Sequence, residues 1–130
     1  MTSLYYLANR SCPLTQVEQE RITQILRDSA ACYPHVEIGE TLCQYSRDLE
    51  EDPACIFSGA VKLPYSCEIP DQDLIDIQSE ALFFFMEWLT KLRRALPDAQ
   101  WDVSLEGFPF LWEEESGWRL MTDEEYQAYC

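Results

Sequence analysis

The sequence predicts a single α+β domain, 1–130. It is a mostly antiparallel sheet of about five to six strands packed on two main helices, in the order β-α-β-β-α-β-β-β-α. Three observations predict it. The strand-type runs outnumber the helical ones and follow one another through short loops. Two stretches carry helical periodicity with clear start signals. Hydrophobic residues make up 47% of the 130-residue chain, enough for one core despite the charge, so a disordered acidic tail is excluded.

"SLYYLAN" is rich in aromatic and apolar residues and reads as the first strand. The next stretch has a capping box: Thr15 accepts from the backbone while Glu18, three residues on, reaches back. Ile22, Ile25, Leu26 and Ala30 then recur at helical spacing, and Pro34 ends the helix. "ETLCQYSR" and "ACIFSGAVKLP" carry strand-type residues and read as a hairpin around the charged loop "DLEEDP", with Gly59 marking a bulge.

"PDQDLIDIQSEALFFFMEWLTKLRRALPD" is the clearest element. Asp71 or Asp73 caps it, acids fill its first turns, and Lys91, Arg93 and Arg94 fill its last, matching the helix dipole at both ends. Ala81 to Leu89 is apolar nearly all round, which predicts burial on most sides or packing against a partner. "WDVSLEG", "FPFLW" and "GWRLM" supply three more strands, the last two paired around "EEESG". Alternation puts Phe108, Phe110 and Trp112 on one face, and Trp118 and Leu120 on one face of the next strand. Glu113, Glu114 and Glu115 fall in the turn, closed by Gly117. "TDEEYQAYC" repeats the capping box with Thr122 and Glu125 and predicts a short final helix.

Charge is the outstanding feature of composition. Nine Lys and Arg face 24 Asp and Glu, a formal net charge of −15. From Asp98 onward nine acids meet one base, Arg119. Such a field repels nucleic acid and anionic membranes and attracts basic proteins, although solubility by self-repulsion is sufficient reason for it. No stretch is long and apolar enough to span a membrane, and "MTSLYYLANR" has neither the basic nor the apolar region of a signal peptide. The six cysteines are scattered, so the expected place is the reducing cytoplasm, with most thiols acting as small buried hydrophobes.

No pattern commits the chain to a reaction, and no catalytic residue, cofactor or metal is expected. Cys32 and His35 lie three apart at a helix end, but nothing in the sequence orients them as a nucleophile pair, and no C-x-x-C pair supports zinc. Asp71, Asp73 and Asp76 have the spacing of oxygen ligands, yet the run passes straight into apolar helix, where dipole complementarity explains it. Phosphate-binding glycine loops and the G-x-S-x-G elbow are absent. A small metal-dependent or thiol enzyme and an accessory subunit of a larger assembly stand as alternatives.

The remaining signal is acid beside aromatic. There are four acidic patches: Asp48 with Glu50, Glu51 and Asp52; Asp71 with Asp73 and Asp76; Glu113 to Glu115; and Asp123 to Glu125. Trp112, Trp118, Tyr126 and Tyr129 adjoin the last two. Trp and Tyr are enriched where interfaces concentrate their energy, and complementary charge speeds and orients docking. The candidate partner-binding residues are therefore Trp112, Glu113, Glu114, Glu115, Trp118, Asp123, Glu124, Tyr126, Asp48, Glu50, Glu51 and Asp52. A core hairpin with a merely solvated tip explains the same residues. In size, charge and architecture the chain resembles the small acidic immunity proteins of bacterial toxin–immunity pairs. That resemblance implies a non-enzymatic inhibitor that binds a basic, nuclease-like toxin domain directly. A general DNA mimic requires long regular rows of carboxylates, whereas these acids cluster at loops and helix starts.

Overall fold

The computed structural model describes residues 2–45 and 54–129. The described elements run β1 (Ser3–Asn9), α1 (Gln16–Cys32), β2 (Cys55–Lys62), α2 (Asp71–Ala95), β3 (Gln100–Leu105), β4 (Phe108–Pro109), β5 (Leu111–Glu113), β6 (Gly117–Arg119) and α3 (Asp123–Tyr129). The strand pairs among the described residues are all antiparallel. One sheet has the order β2-β1-β3-β4, and β5 and β6 form a separate hairpin. The expected α+β class is the observed one.

Apolar alternation on the central strand builds the core. Leu4, Tyr6 and Ala8 of β1 point inward beside their register partners Val61, Gly59 and Phe57 of β2 and Leu105, Val103 and Trp101 of β3. Ile22 of α1 and Ala81, Leu82, Phe85, Met86, Leu89 and Leu92 of α2 cover that face and join the same cluster. Burying the Ile, Leu, Phe and Met side chains among them contributes roughly 1.5–3 kcal/mol each. Tyr33, just beyond α1, lies 5.1 Å from the ring of Phe85 and ties the two helices together. Burial raises its phenol pKa to about 12. The apolar run of α2 is sheltered on most sides, although Phe83 stays exposed and Phe84 and Trp88 are half-buried.

The α1 capping box is present: Glu18 N donates to Thr15 Oγ1 at 3.1 Å, and Thr15 N donates to Glu18 Oε1 at 3.0 Å. Arg10 completes this end of the fold by bridging Glu18 at 2.8 Å and Asp98 at 2.9 Å. That arginine, then the Thr15 amide, holds the Glu18 carboxyl at about 2. At α2 the cap differs from the expectation. Pro70 is the N-cap and no side chain caps the helix, so Asp71 and Asp73 act only as first-turn charges.

Gly59 is not a bulge. The register shift lies between Ala8 and Asn9, and Gly59 sits in regular pairing opposite Tyr6. A Cβ at Gly59 would fall 2.5 Å from both the Tyr6 ring and the Cys43 carbonyl oxygen, so the glycine makes room for a close approach.

That approach explains a second difference. The strand expected over 40–47 is not a ladder strand in its described part, 40–45. It runs extended beside β2, held by side chains as much as by backbone. Tyr6 Oη donates to Cys43 O at 2.8 Å and accepts from Cys43 N at 2.9 Å. Tyr45 N donates to Ser58 O, Cys43 Sγ donates to Ala60 O, and Lys62 N donates to a carboxylate oxygen of Glu40. Gln44 and Gln19 of α1 exchange two amide hydrogen bonds. The outer edge of β2 is thereby closed against intermolecular pairing. The thiols depart from the expected burial: Cys12, Cys32 and Cys67 are exposed, and Cys43 and Cys55 are half-buried.

Candidate partner-binding site

The β5–β6 hairpin stands on the C-terminal half of α2. Thr90 anchors it: its hydroxyl donates to Met86 O at 2.8 Å and accepts from Trp118 N at 3.2 Å. Gly117 opposes Glu113 across the hairpin with φ +90 and lies against Thr90, where a Cβ would be 2.5 Å from Oγ1. Only glycine combines that conformation with that contact. Trp112 and Trp118 face each other in register at 5.4 Å, edge to face.

The three glutamates do not form one solvated tip. Glu113 closes β5, and its carboxylate accepts from Arg119 Nε and Ser116 Oγ. Arg119 first, then Ser116, lowers its pKa. Glu114 takes the Trp112 indole N–H at 3.0 Å on its carboxylate, and Arg94 donates to its backbone oxygen at 3.2 Å. Glu115 is exposed and makes no hydrogen bond or ion pair among the described residues.

Arg119 joins the hairpin to α3. While Nε holds Glu113, Nη1 and Nη2 reach the two oxygens of Glu125 at 2.8 and 2.7 Å, a bidentate pair. Arg119, then the Thr122 amide, holds Glu125 at about 2. The α3 capping box is also present, with Thr122 N donating to Glu125 and Glu125 N to Thr122 Oγ1. Tyr126 packs on Phe108 at 5.0 Å. Asp123 and Glu124 are exposed beside this bolt.

The structure therefore brings Trp112, Trp118 and Glu113 to Glu115 together, and links them through Arg119 to the helix carrying Asp123, Glu124 and Tyr126. Asp48, Glu50, Glu51 and Asp52 lie outside the described residues. The aromatic faces only partly follow the expected alternation. Phe110 and Trp118 are buried, but Phe108 and Leu120 are exposed because the chain breaks its pleat at Phe110 and leaves β6 at Arg119.

Sequence reasoning missed the cations beneath the tryptophans. The Arg93 guanidinium lies 4.4 Å from the Trp112 ring centre and 4.9 Å from that of Trp118, with Arg94 at 5.8 Å from Trp112. Burial lowers the Arg93 pKa, against the opposing pull of Glu114. Their last-turn position is already explained by the helix dipole, which hides this second use. The signal available was the scarcity of bases, nine in the whole chain, which makes the adjacent pair Arg93 and Arg94 stand out as partners for aromatic faces.

The other candidates separate. His35 turns Nε2 toward Glu80 of α2 at 3.5 Å and sets its ring edge-on to Tyr33. It has no hydrogen bond to Cys32 among the described residues. Asp71, Asp73 and Asp76 are exposed on α2. Among the described residues no group of three or more His, Cys, Asp or Glu is arranged to hold a metal ion. No helix among the described residues is long and apolar enough to cross a membrane. No protein-family model matches the chain, and no curated protein or solved structure is detectably similar to it.

Proposed function

We propose that this protein is a non-enzymatic acidic binding protein of the immunity type, which neutralises a basic, nuclease-like bacterial toxin in the cytoplasm by direct contact. The observation that carries the reading is the Glu113–Arg119–Glu125 bridge, which bolts the aromatic hairpin to α3. With those two carboxylates spent on the frame, Glu115, Asp123 and Glu124 are left exposed on a braced surface beside Trp112 and Tyr126. A toxin that grips phosphates presents a basic cleft, and carboxylates on a preorganised frame meet it without the ordering cost of a flexible tail. The net charge of −15 favours fast association with such a partner and disfavours nucleic acid.

The test is affinity isolation from the source cell, followed by an activity assay of whatever binds. A stoichiometric partner with a basic domain whose nuclease activity ceases on binding supports the reading. A partner that is acidic, or whose activity is unchanged, overturns it.

A further inference from the structure

A second surface lies on the outer face of the main sheet, away from the helices. Ser58, Ala60 and Lys62 of β2 pair with Leu7, Tyr5 and Ser3 of β1 and point outward. The clasped segment 40–45 rises along the other side of β2 and turns Thr41, Cys43 and Tyr45 to the same side, while Leu42 is buried and Gln44 meets α1. Between these walls is an open cavity of about 530 Å³, floored by Ala60 and lined by Tyr5, Tyr45, Cys43, Glu40 and Lys62. Its size is that of a small-ligand or side-chain pocket.

Two properties make it a prepared site. The tyrosines that wall it, Tyr5 and Tyr45, are 49% and 55% exposed, so both are accessible to a guest. The wall carrying Tyr45 and Glu40 is pinned at three places: Tyr6 to Cys43, Tyr45 to Ser58, and Glu40 to Lys62 N. Preorganisation of this kind lowers the cost of binding. Glu40 contributes a carboxylate at one end, and Asp102, outward-facing opposite Leu7, adds a second on the same face.

We infer that this groove seats an arginine side chain of a basic partner protein. A planar guanidinium entering over Ala60 stacks on tyrosine and pairs with the Glu40 carboxylate, a combination that an ammonium group reproduces less well. The partner's basic character follows from the charge of −15 over the whole chain. Lys62 borders the groove with no ion pair among the described residues, so it opposes a cationic guest and sets which end the side chain can enter. The inference shares with the proposed function only the basic character of the partner, since the groove and the hairpin are separate surfaces.

Titration of the isolated protein with a capped tetra-arginine peptide and with capped tetra-lysine, followed by amide chemical shifts, tests it. The arginine peptide should shift Tyr5, Tyr45 and Ala60 and bind about fivefold more tightly than the lysine peptide. Glu40→Gln keeps an oxygen for Lys62 N and should abolish that preference, Tyr45→Ala should weaken arginine binding, and Lys62→Glu should strengthen it. Equal affinity for the two peptides, no binding of either, or shifts confined to residues 113–125 would overturn the groove while leaving the hairpin reading to its own test.

Discussion

The hydroxyl of Tyr6 binds the backbone of Cys43 twice, donating to its carbonyl at 2.8 Å and accepting from its amide at 2.9 Å. One side chain on the central strand thus substitutes for a rung of ladder. Burial is the main reason that its phenol pKa is raised, so it stays protonated and able to do both at any ordinary pH. Tyr6→Phe should cost about 1–3 kcal/mol, because the Cys43 groups lose their partner in a half-dry site. Gly59→Ala should cost a similar amount, by forcing Tyr6 and Cys43 apart. Chemical denaturation measures both, and faster amide exchange at Tyr45 should accompany them. A Tyr6→Phe protein of unchanged stability would show that the segment 40–45 is held without this contact.

Thr90 is the pivot on which the aromatic hairpin stands. Thr90→Val keeps the shape and removes the acceptor for Trp118 N, leaving a buried donor unpaired. A loss of about 1–3 kcal/mol is expected. Gly117→Ala should be at least as damaging, since it meets both positive φ and the Thr90 side chain. Amide exchange at 111–119, set against that of β1, separates loss of the hairpin from loss of the core.

Arg119 carries the link between hairpin and α3. A seven-residue helix is too short to persist alone, so Arg119→Gln should free it. The expected readout is amide exchange: protection falls in 123–129 and not in the main sheet.

Acid should act on the same bridge. The pKa of Glu125 is lowered to about 2 in the fold, chiefly by Arg119, and that of Glu18 to about 2, chiefly by Arg10. Unfolded glutamate titrates at about 4.3, so each contributes stability that is present above that pH and is lost as pH falls toward 2. Relief of the −15 charge acts in the opposite sense over the same window, so the comparison must be differential. The melting-temperature difference between the parent and Glu125→Gln, or Glu18→Gln, should be largest near neutral pH and shrink from about pH 4.5 downward. A difference independent of pH would mean that neither carboxylate is charged in its bridge.

Charge reversal locates the partner surface. Glu115→Lys, Asp123→Lys and Glu124→Lys together should slow association with a basic partner, more at low salt than at high. Reversing Glu113 instead should also disturb the hairpin, because Arg119 depends on it. Equal association rates for parent and triple variant at low salt would remove this face from consideration.

Much of the fold was legible in the chain because its signals are short-range. Thr15 with Glu18, and Thr122 with Glu125, are three residues apart and fix helix starts locally. The apolar run of α2 and the hairpin around Gly117 follow from period and turn chemistry. The sequence by itself therefore determined the α+β class, the helix positions and the presence of acid beside aromatic. Only the tertiary structure decided who owns each group. β2 takes its ladder partner in β1, while its chain neighbour 40–45 meets the other edge of β2 through Tyr45 N and the Tyr6–Cys43 contact over Gly59. Glu113 and Glu114 are engaged by Arg119, Trp112 and Arg94, so Glu115 is the one member of the triplet left without a hydrogen bond or ion pair among the described residues. Pairing and ion-pair choice depend on contacts between residues far apart in the chain, and local periodicity carries no record of them.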